Sequence, residues 1–386
     1  MLLELSESDN SSFNDWIIMP FSLSDSFLTS PLLHQVLLLL NLVLAVLTIL
    51  LLLFMPLHKL SVERRARRHR KLFDAYGNAL RGLGSTEYTL EPSSVPLEYE
   101  AFADSAADVM REIGGNLAIR NFIGSQNVVV AYYTSLLTSR SWVKRFSAAE
   151  RLGGLQLPHL MPVFVAALKR EKDVRVISRL VWGISLLADS DSVAVINTIL
   201  ADPHFMSSKF SEFIYCNILR AFKQRNQGHE LVALLGMLLN AQEIPVMLKR
   251  DIIQACGNEG LDDAESLIVE AFERFHDVPE MRIAIIRTIN RLRLATGNQM
   301  LISCLQDEDW RIRGVAAKNL QATSYKIFSL LEKLLHDDNY LVRYNSALSL
   351  ADAGVLGIDI LKLEAQGDDR FAREIAGYVL KGCVRI

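Results

Sequence analysis

The sequence predicts an all-α protein: one N-terminal transmembrane helix followed by a cytoplasmic α-solenoid of about eight helical pairs. Three observations predict this class. The twenty residues Val36 to Met55 carry no charge. From about residue 97 onward, apolar residues recur at three- and four-residue intervals, the period of amphipathic helices. A pattern of turn acids, a hydrophobic residue, a base and an Ala-rich stretch returns every thirty or so residues, the mark of a stacked repeat.

Residues 1–31 read as a short extracytoplasmic tail. Ser6, Ser8, Asp9, Ser11 and Ser12 precede Phe13, Trp16, Ile17, Ile18, Met19, Phe21 and Phe27. That grouping fits an unstructured tail, or a segment at the outer interface with Trp16 at headgroup level. Asn10-Ser11-Ser12 is a glycosylation triplet, relevant only on a eukaryotic secretory route.

Residues 32–57 form the transmembrane helix. At ~1.5 Å rise, ~20 residues cross the ~30 Å hydrocarbon core of a bilayer. A cleaved signal peptide would need a basic start and a shorter apolar run. No Lys or Arg precedes this one, so it reads as an uncleaved anchor. From Val36 to Met55, Asn41 is the only strongly polar side chain. It is either tolerated there or hydrogen-bonds a partner transmembrane helix, worth about 1 kcal/mol.

Residues 58–96 are a basic juxtamembrane segment and linker. Lys59, Arg64, Arg65, Arg67, Arg68, Arg70 and Lys71 face one acid, Glu63, between residues 59 and 71. Residues 1–58 hold five acids and no base. Cytoplasmic flanks carry the Lys/Arg excess, so the N-terminus lies outside and the C-terminal domain in the cytoplasm of a single-pass inner or plasma-membrane protein. The seven cations contact anionic headgroups, at about 1 kcal/mol each. The helix continues from Leu72 towards Leu83, and Gly82, Gly84, Pro92, Ser93, Ser94 and Pro96 then mark a linker.

Residues 97–140 read as a helical N-terminal cap, with helices near Phe102–Ile113 and Val128–Leu137 around Gly114-Gly115. Residues 141–386 hold the repeats. The clearest run Asp307-Glu308-Asp309-Trp310-Arg311-Ile312-Arg313, Asp337-Asp338-Asn339-Tyr340-Leu341-Val342-Arg343, and Asp368-Asp369-Arg370-Phe371-Ala372-Arg373. Earlier copies start near Val143, Val174, Leu248 and Met281, with a degenerate one near Phe210. Apolar stretches such as Leu160–Leu168, Leu231–Leu239 and Ile327–Leu335 supply the other helix of each pair. So short a pair cannot bury its apolar face alone, and stacking gives a continuous core.

This pattern resembles the HEAT repeat, an armadillo-like α-solenoid family, over roughly Trp142 to Leu380. The resemblance implies a ladder of turn acids and helix arginines between repeats: Arg175, Arg282, Asp307, Arg313, Asp337, Arg343 and Arg373. In overall arrangement the chain is similar to membrane-anchored bacterial HEAT proteins that accompany inner-membrane surface-polysaccharide glycosyltransferases. That likeness implies an accessory subunit whose solenoid and Asn41 contact a polytopic synthase. HEAT-like lyases of the bilin-lyase type and eukaryotic membrane adaptors are the alternatives.

No reaction is legible. The eight histidines include no pair at i, i+4 and no H-E-x-x-H. There is no G-x-S-x-G and no phosphate-binding glycine loop. Cys216, Cys256, Cys304 and Cys383 form no C-x-x-C and read as reduced thiols rather than metal ligands. Residues 82–386 carry a net charge of about −4, which disfavours nucleic acid. The expected function is a non-enzymatic scaffold or adaptor without cofactor or metal, binding a protein partner. Trp142, Trp182, Trp310 and the tyrosines Tyr132, Tyr133, Tyr215, Tyr340 and Tyr344 are core or interface anchors.

Overall fold

The computed structural model describes residues 31–82, 95–113, 117–202, 208–321 and 324–383. The expected outer tail with Trp16 and most of the Gly/Pro linker lie outside these residues. The chain divides into two compact units, Met1–Lys71 and Leu72–Ile386. Every regular element among the described residues is helical.

Helix α1 (Pro31–Arg81) includes the apolar run and the basic segment. Within the first unit, Gln35 to Met55 are exposed on all sides. The most apolar window has mean hydropathy 3.1 with none of it buried, so the helix is long and apolar enough to cross a membrane. Pro56 sits inside the helix and removes one backbone donor. The last ten residues of α1 belong to the second unit. There Leu80 is buried and Tyr76 meets Phe102 edge-on at 5.5 Å.

The second unit opens with α2 (Pro96–Ile113), α3 (Leu117–Ser125) and α4 (Asn127–Leu136). Helices α5 (Trp142–Gly154), α7 (Val174–Ser185), α9 (Ser208–Gln224), α11 (Val246–Asn258), α13 (Pro279–Leu292), α15 (Trp310–Asn319), α17 (Tyr340–Asp352) and α19 (Arg370–Cys383) then alternate with partners. The partners are α6 (Met161–Leu168), α8 (Ser190–Leu200), α10 (Gly228–Asn240), α12 (Glu265–Arg274), α14 (Gly297–Cys304), α16 (Tyr325–Lys333) and α18 (Val355–Glu364). Helix α2 packs on α5, α5 on α7, and so on through α17 on α19. Helices α4, α6, α12, α14, α16 and α18 each pack on the odd-numbered helix that follows. One apolar core runs through the series, from Tyr76 and Leu80 to Ile375 and Val379.

The loops before the odd-numbered helices explain the recurrent acids. Asp173, Asp309 and Asn339 each accept the backbone N–H two residues on, capping α7, α15 and α17. The fourth residue of α5, α13, α15, α17 and α19 is an arginine, and in α5, α13 and α15 it ties one pair to the next. Arg313 Nη1 donates to the Asp307 and Glu308 carbonyls at 2.8 and 3.0 Å. Its Nε and Nη2 grip Asp337, in the next loop, at 2.8 and 2.9 Å. Arg145 repeats this on the Ser139 and Arg140 carbonyls and on Glu171. Arg282 likewise reaches Asp307.

Two helices meet almost backbone to backbone. A Cβ added at Gly153 of α5 would lie 2.9 Å from the Gly183 Cα of α7. Gly153→Val is therefore expected to push α5 and α7 apart and cost about 1–3 kcal/mol. A lower melting temperature would register it, and an unchanged one would refute the close-packing account.

A candidate partner-binding groove

The expected site residues fall into three groups. In the first unit, Lys59, Arg64, Arg65, Arg67, Arg68, Arg70 and Lys71 are all exposed. At about 100° per residue they spread round about two thirds of α1 rather than along one narrow face. Such a belt of cations suits a helix that crosses a headgroup layer, whereas a helix lying flat would need one apolar face. Asn41 is exposed on the apolar segment.

The second group is the ladder, and the structure corrects part of it. Arg282–Asp307 and Arg313–Asp337 link successive pairs. Arg175 does not. It is the second residue of α7, pairs with its own cap Asp173 at 2.6 Å, and stacks 3.4 Å from the Trp142 ring centroid. The fourth residue of α7 is Ile177, so no ladder contact leaves this helix. Arg343 keeps the carbonyl half of the motif, donating to Asp337 and Asp338. Gly367 stands where the next acid would be. Arg343 lies instead beside the Phe371 ring at 4.9 Å, with its Nε unpartnered. Arg373 repeats only the carbonyl half, on Gly367 and Asp368. Arg145–Glu171 is a ladder pair that sequence reasoning missed. Its signal was Arg145 at the same helix position as Arg313.

The third group is a groove that no single motif announces. It encloses about 620 Å³ and crosses four successive helices. Asp104, Ala107, Asp108 and Arg111 come from α2, and Glu150, Arg151 and Gly154 from α5. Arg179 and Trp182 come from α7, Phe213, Asn217 and Arg220 from α9, and Phe73 from α1. Small residues keep the floor low: a Cβ on Gly154 would lie 2.6 Å from the Ala107 Cβ. Phe213 is 46% exposed and Trp182 half-buried. Arg179 lies over Phe146 at 5.0 Å and Trp182 at 5.7 Å, and reaches Glu150 only at 3.5 Å. Arg220 is held by Glu259 at 2.6 and 2.7 Å. Aromatic anchors flanked by oriented arginines are the chemistry of protein interfaces.

The other expected aromatics divide. Tyr133 and Tyr215 are core residues, Tyr215 donating to Asn197 Oδ1 at 2.6 Å. Trp142, Trp310 and Tyr340 keep 38%, 40% and 54% of their surface exposed. Cys216, Cys256 and Cys304 are buried free thiols, and burial pushes the first two up to about 11 and about 12. They stay protonated at neutral pH and are poor nucleophiles. No cluster of metal-ligating side chains occurs among the described residues.

No protein-family model and no curated protein matches the sequence. Among solved structures, an engineered protein is similar over 78% of this chain and 86% of its own, at 17% identity and a TM-score of 0.34. The complex of CpcE and CpcF of phycocyanin lyase from Nostoc sp. PCC7120 is similar over 72% of this chain and 95% of its own, at 17% identity and a TM-score of 0.25. Scores this low carry neither fold nor function, so the helical-repeat architecture rests on the helix order and packing above.

Proposed function

We propose that the chain is a membrane-tethered α-solenoid scaffold that holds a protein partner on its cytoplasmic helices. The observation that carries this reading is α1: an apolar segment exposed on every side, followed at once by a belt of cations round most of the helix. Such a segment is stable only in lipid, and the belt orients it with the helical array on the cytoplasmic face. The array supplies a groove with exposed Phe213 and stacked Arg179. Tethering raises the local concentration of the array relative to any neighbour in the same membrane. A polytopic membrane enzyme of surface-polysaccharide synthesis is the partner that the arrangement of anchor, basic exit and helical pairs favours.

A photo-crosslinking residue at Phe213, in the full-length chain in native membranes, tests this. The expected product is a discrete adduct with a multispanning membrane protein. Phe213→Glu should abolish copurification of that protein while leaving the melting temperature unchanged, because the ring is already half in water. Absence of a protein adduct, or copurification unaffected by Phe213→Glu, would remove the groove as the binding surface.

A further inference from the structure

A second, smaller pocket holds an unusual pair of cations. It encloses about 320 Å³ between α3, the loop from α7 to α8 and the end of α9. Arg120 and Arg225 both line it, with Met161 and Leu186 as apolar wall and Gln224 and Gln227 as amides. Arg225 is held in place by uncharged acceptors. Its Nε donates to Gln227 Oε1 at 2.6 Å, its Nη1 to the Leu187 carbonyl at 3.3 Å, and its Nη2 to the Ala188 carbonyl. Among the described residues Arg120 makes no hydrogen bond or ion pair, and its Nε is shut off from solvent. The ladder arginines Arg145, Arg282 and Arg313, by contrast, each meet a carboxylate. Arg120 is half-buried and Arg225 exposed, so an anion entering the pocket can reach both guanidiniums.

One carboxylate, Asp189, lines the pocket and another, Glu230, lies nearby, and both are engaged by other donors. Asp189 accepts the Ser192 N–H at 2.9 Å as the cap of α8. Glu230 accepts from Ser190 and from Gln227 Nε2, each at 2.8 Å. Neither forms an ion pair with Arg120 or Arg225, although both favour the charged form of Arg225. Burial and the Arg120 charge oppose that form and leave the Arg225 pKa lowered.

We propose that Arg120 and Arg225 form a binding site for the phosphate group of a small organic phosphate monoester. Two guanidiniums outnumber the one carboxylate of the lining, Asp189, which already accepts the Ser192 N–H, and so suit a doubly charged, three-oxygen group better than a single carboxylate. The Met161 and Leu186 wall receives the organic part, and the volume lies at the lower end of small-molecule sites. The inference stands apart from the scaffold reading, since it uses neither the anchor nor the charged and aromatic groups of the groove and shares only Leu186 with it.

The test titrates phenyl phosphate, and benzoate separately, into the full-length chain in neutral detergent by calorimetry. Saturable millimolar or tighter binding of phenyl phosphate, with benzoate at least tenfold weaker, is the expected result. Arg120→Gln should weaken phenyl phosphate tenfold or more. It should also leave the ligand-free melting temperature unchanged or raised, because Arg120 has no partner to lose. A residue of merely structural use would lower it. Inorganic phosphate should compete with phenyl phosphate at salt concentrations where chloride does not, a readout that needs no variant. No saturable binding, equal binding of benzoate, or full binding by Arg120→Gln would overturn the proposal.

Discussion

Arg313→Ala should cost about 3–5 kcal/mol of stability, the largest expected effect of any single substitution in the array. Arg313 and Asp337 keep only 18% and 8% side-chain exposure. Removing the guanidinium takes both side-chain hydrogen bonds from the mostly buried Asp337 carboxylate, leaving it the Asn339 N–H, and frees two loop carbonyls. Equilibrium denaturation of the full-length chain in detergent should show the loss as early melting of the pairs around α15 and α17. Arg175→Ala is the control. Arg175 is 56% exposed, bonds Asp173 in its own turn and stacks on Trp142 of α5, so its loss should cost no more than about 1–2 kcal/mol. Comparable costs for the two substitutions would show that the ladder does not hold the stack. Replacing both partners, as Arg313→Met with Asp337→Leu, should be far milder than Arg313→Ala, because no buried charge is stranded.

The ladder also sets an acid limit. Burial alone would raise the Asp337 and Glu171 carboxyls. Hydrogen bonds from Arg313 and Arg145, with backbone N–H donors from the following turn, outweigh burial and hold both below the usual carboxylate range. A carboxylate with a depressed folded pKa contributes its stability above its unfolded pKa, about 4. That contribution fades as pH falls through the lower folded value. Acid sensitivity of the array should therefore begin below about pH 4 and be blunted in the Arg313→Met, Asp337→Leu double variant.

How legible all this was in the sequence depends on the distance over which each feature acts. The caps were readable because capping is local: Asp309 and Asn339 each bond a backbone N–H two residues away. The repeats were readable because the same turn chemistry recurs in α15, α17 and α19. The ladder was half legible. A hydrophobic residue followed by a base occurs both at the second helical position, as in Arg175, and at the fourth, as in Arg313. Only the fourth position faces the next loop, and that distinction needs the helix start to within one residue. Helix α3 was missed because it is nine residues long and follows a Gly-Gly break. The groove was not legible at all. Its walls come from five helices spread between Phe73 and Arg220, and its exposed ring, Phe213, sits in the least regular copy of the repeat.

Placing two arginines in the anchor, Leu44→Arg with Leu47→Arg, should remove the protein from the membrane. Each arginine near the middle of the span costs about 2.5–3.5 kcal/mol on insertion scales, so the pair costs about 5–7 kcal/mol. The two positions lie on neighbouring turns of one face, which leaves little room for both to snorkel to an interface. Alkaline carbonate extraction should leave the unaltered chain in the membrane pellet and release the variant. The same experiment separates an anchor from a cleaved leader. An anchor predicts that the membrane-bound chain keeps the mass of all 386 residues, whereas cleavage after Met55 would remove the span. Orientation is a further consequence. Neutralising Lys59, Arg64, Arg65, Arg67, Arg68, Arg70 and Lys71 to glutamine removes the charge asymmetry without touching the apolar run. That variant should stay in the pellet but show mixed topology, part of it with the helical array open to protease from outside. A variant that kept a single orientation would mean that the folded array, not the cationic belt, decides which side of the membrane it occupies.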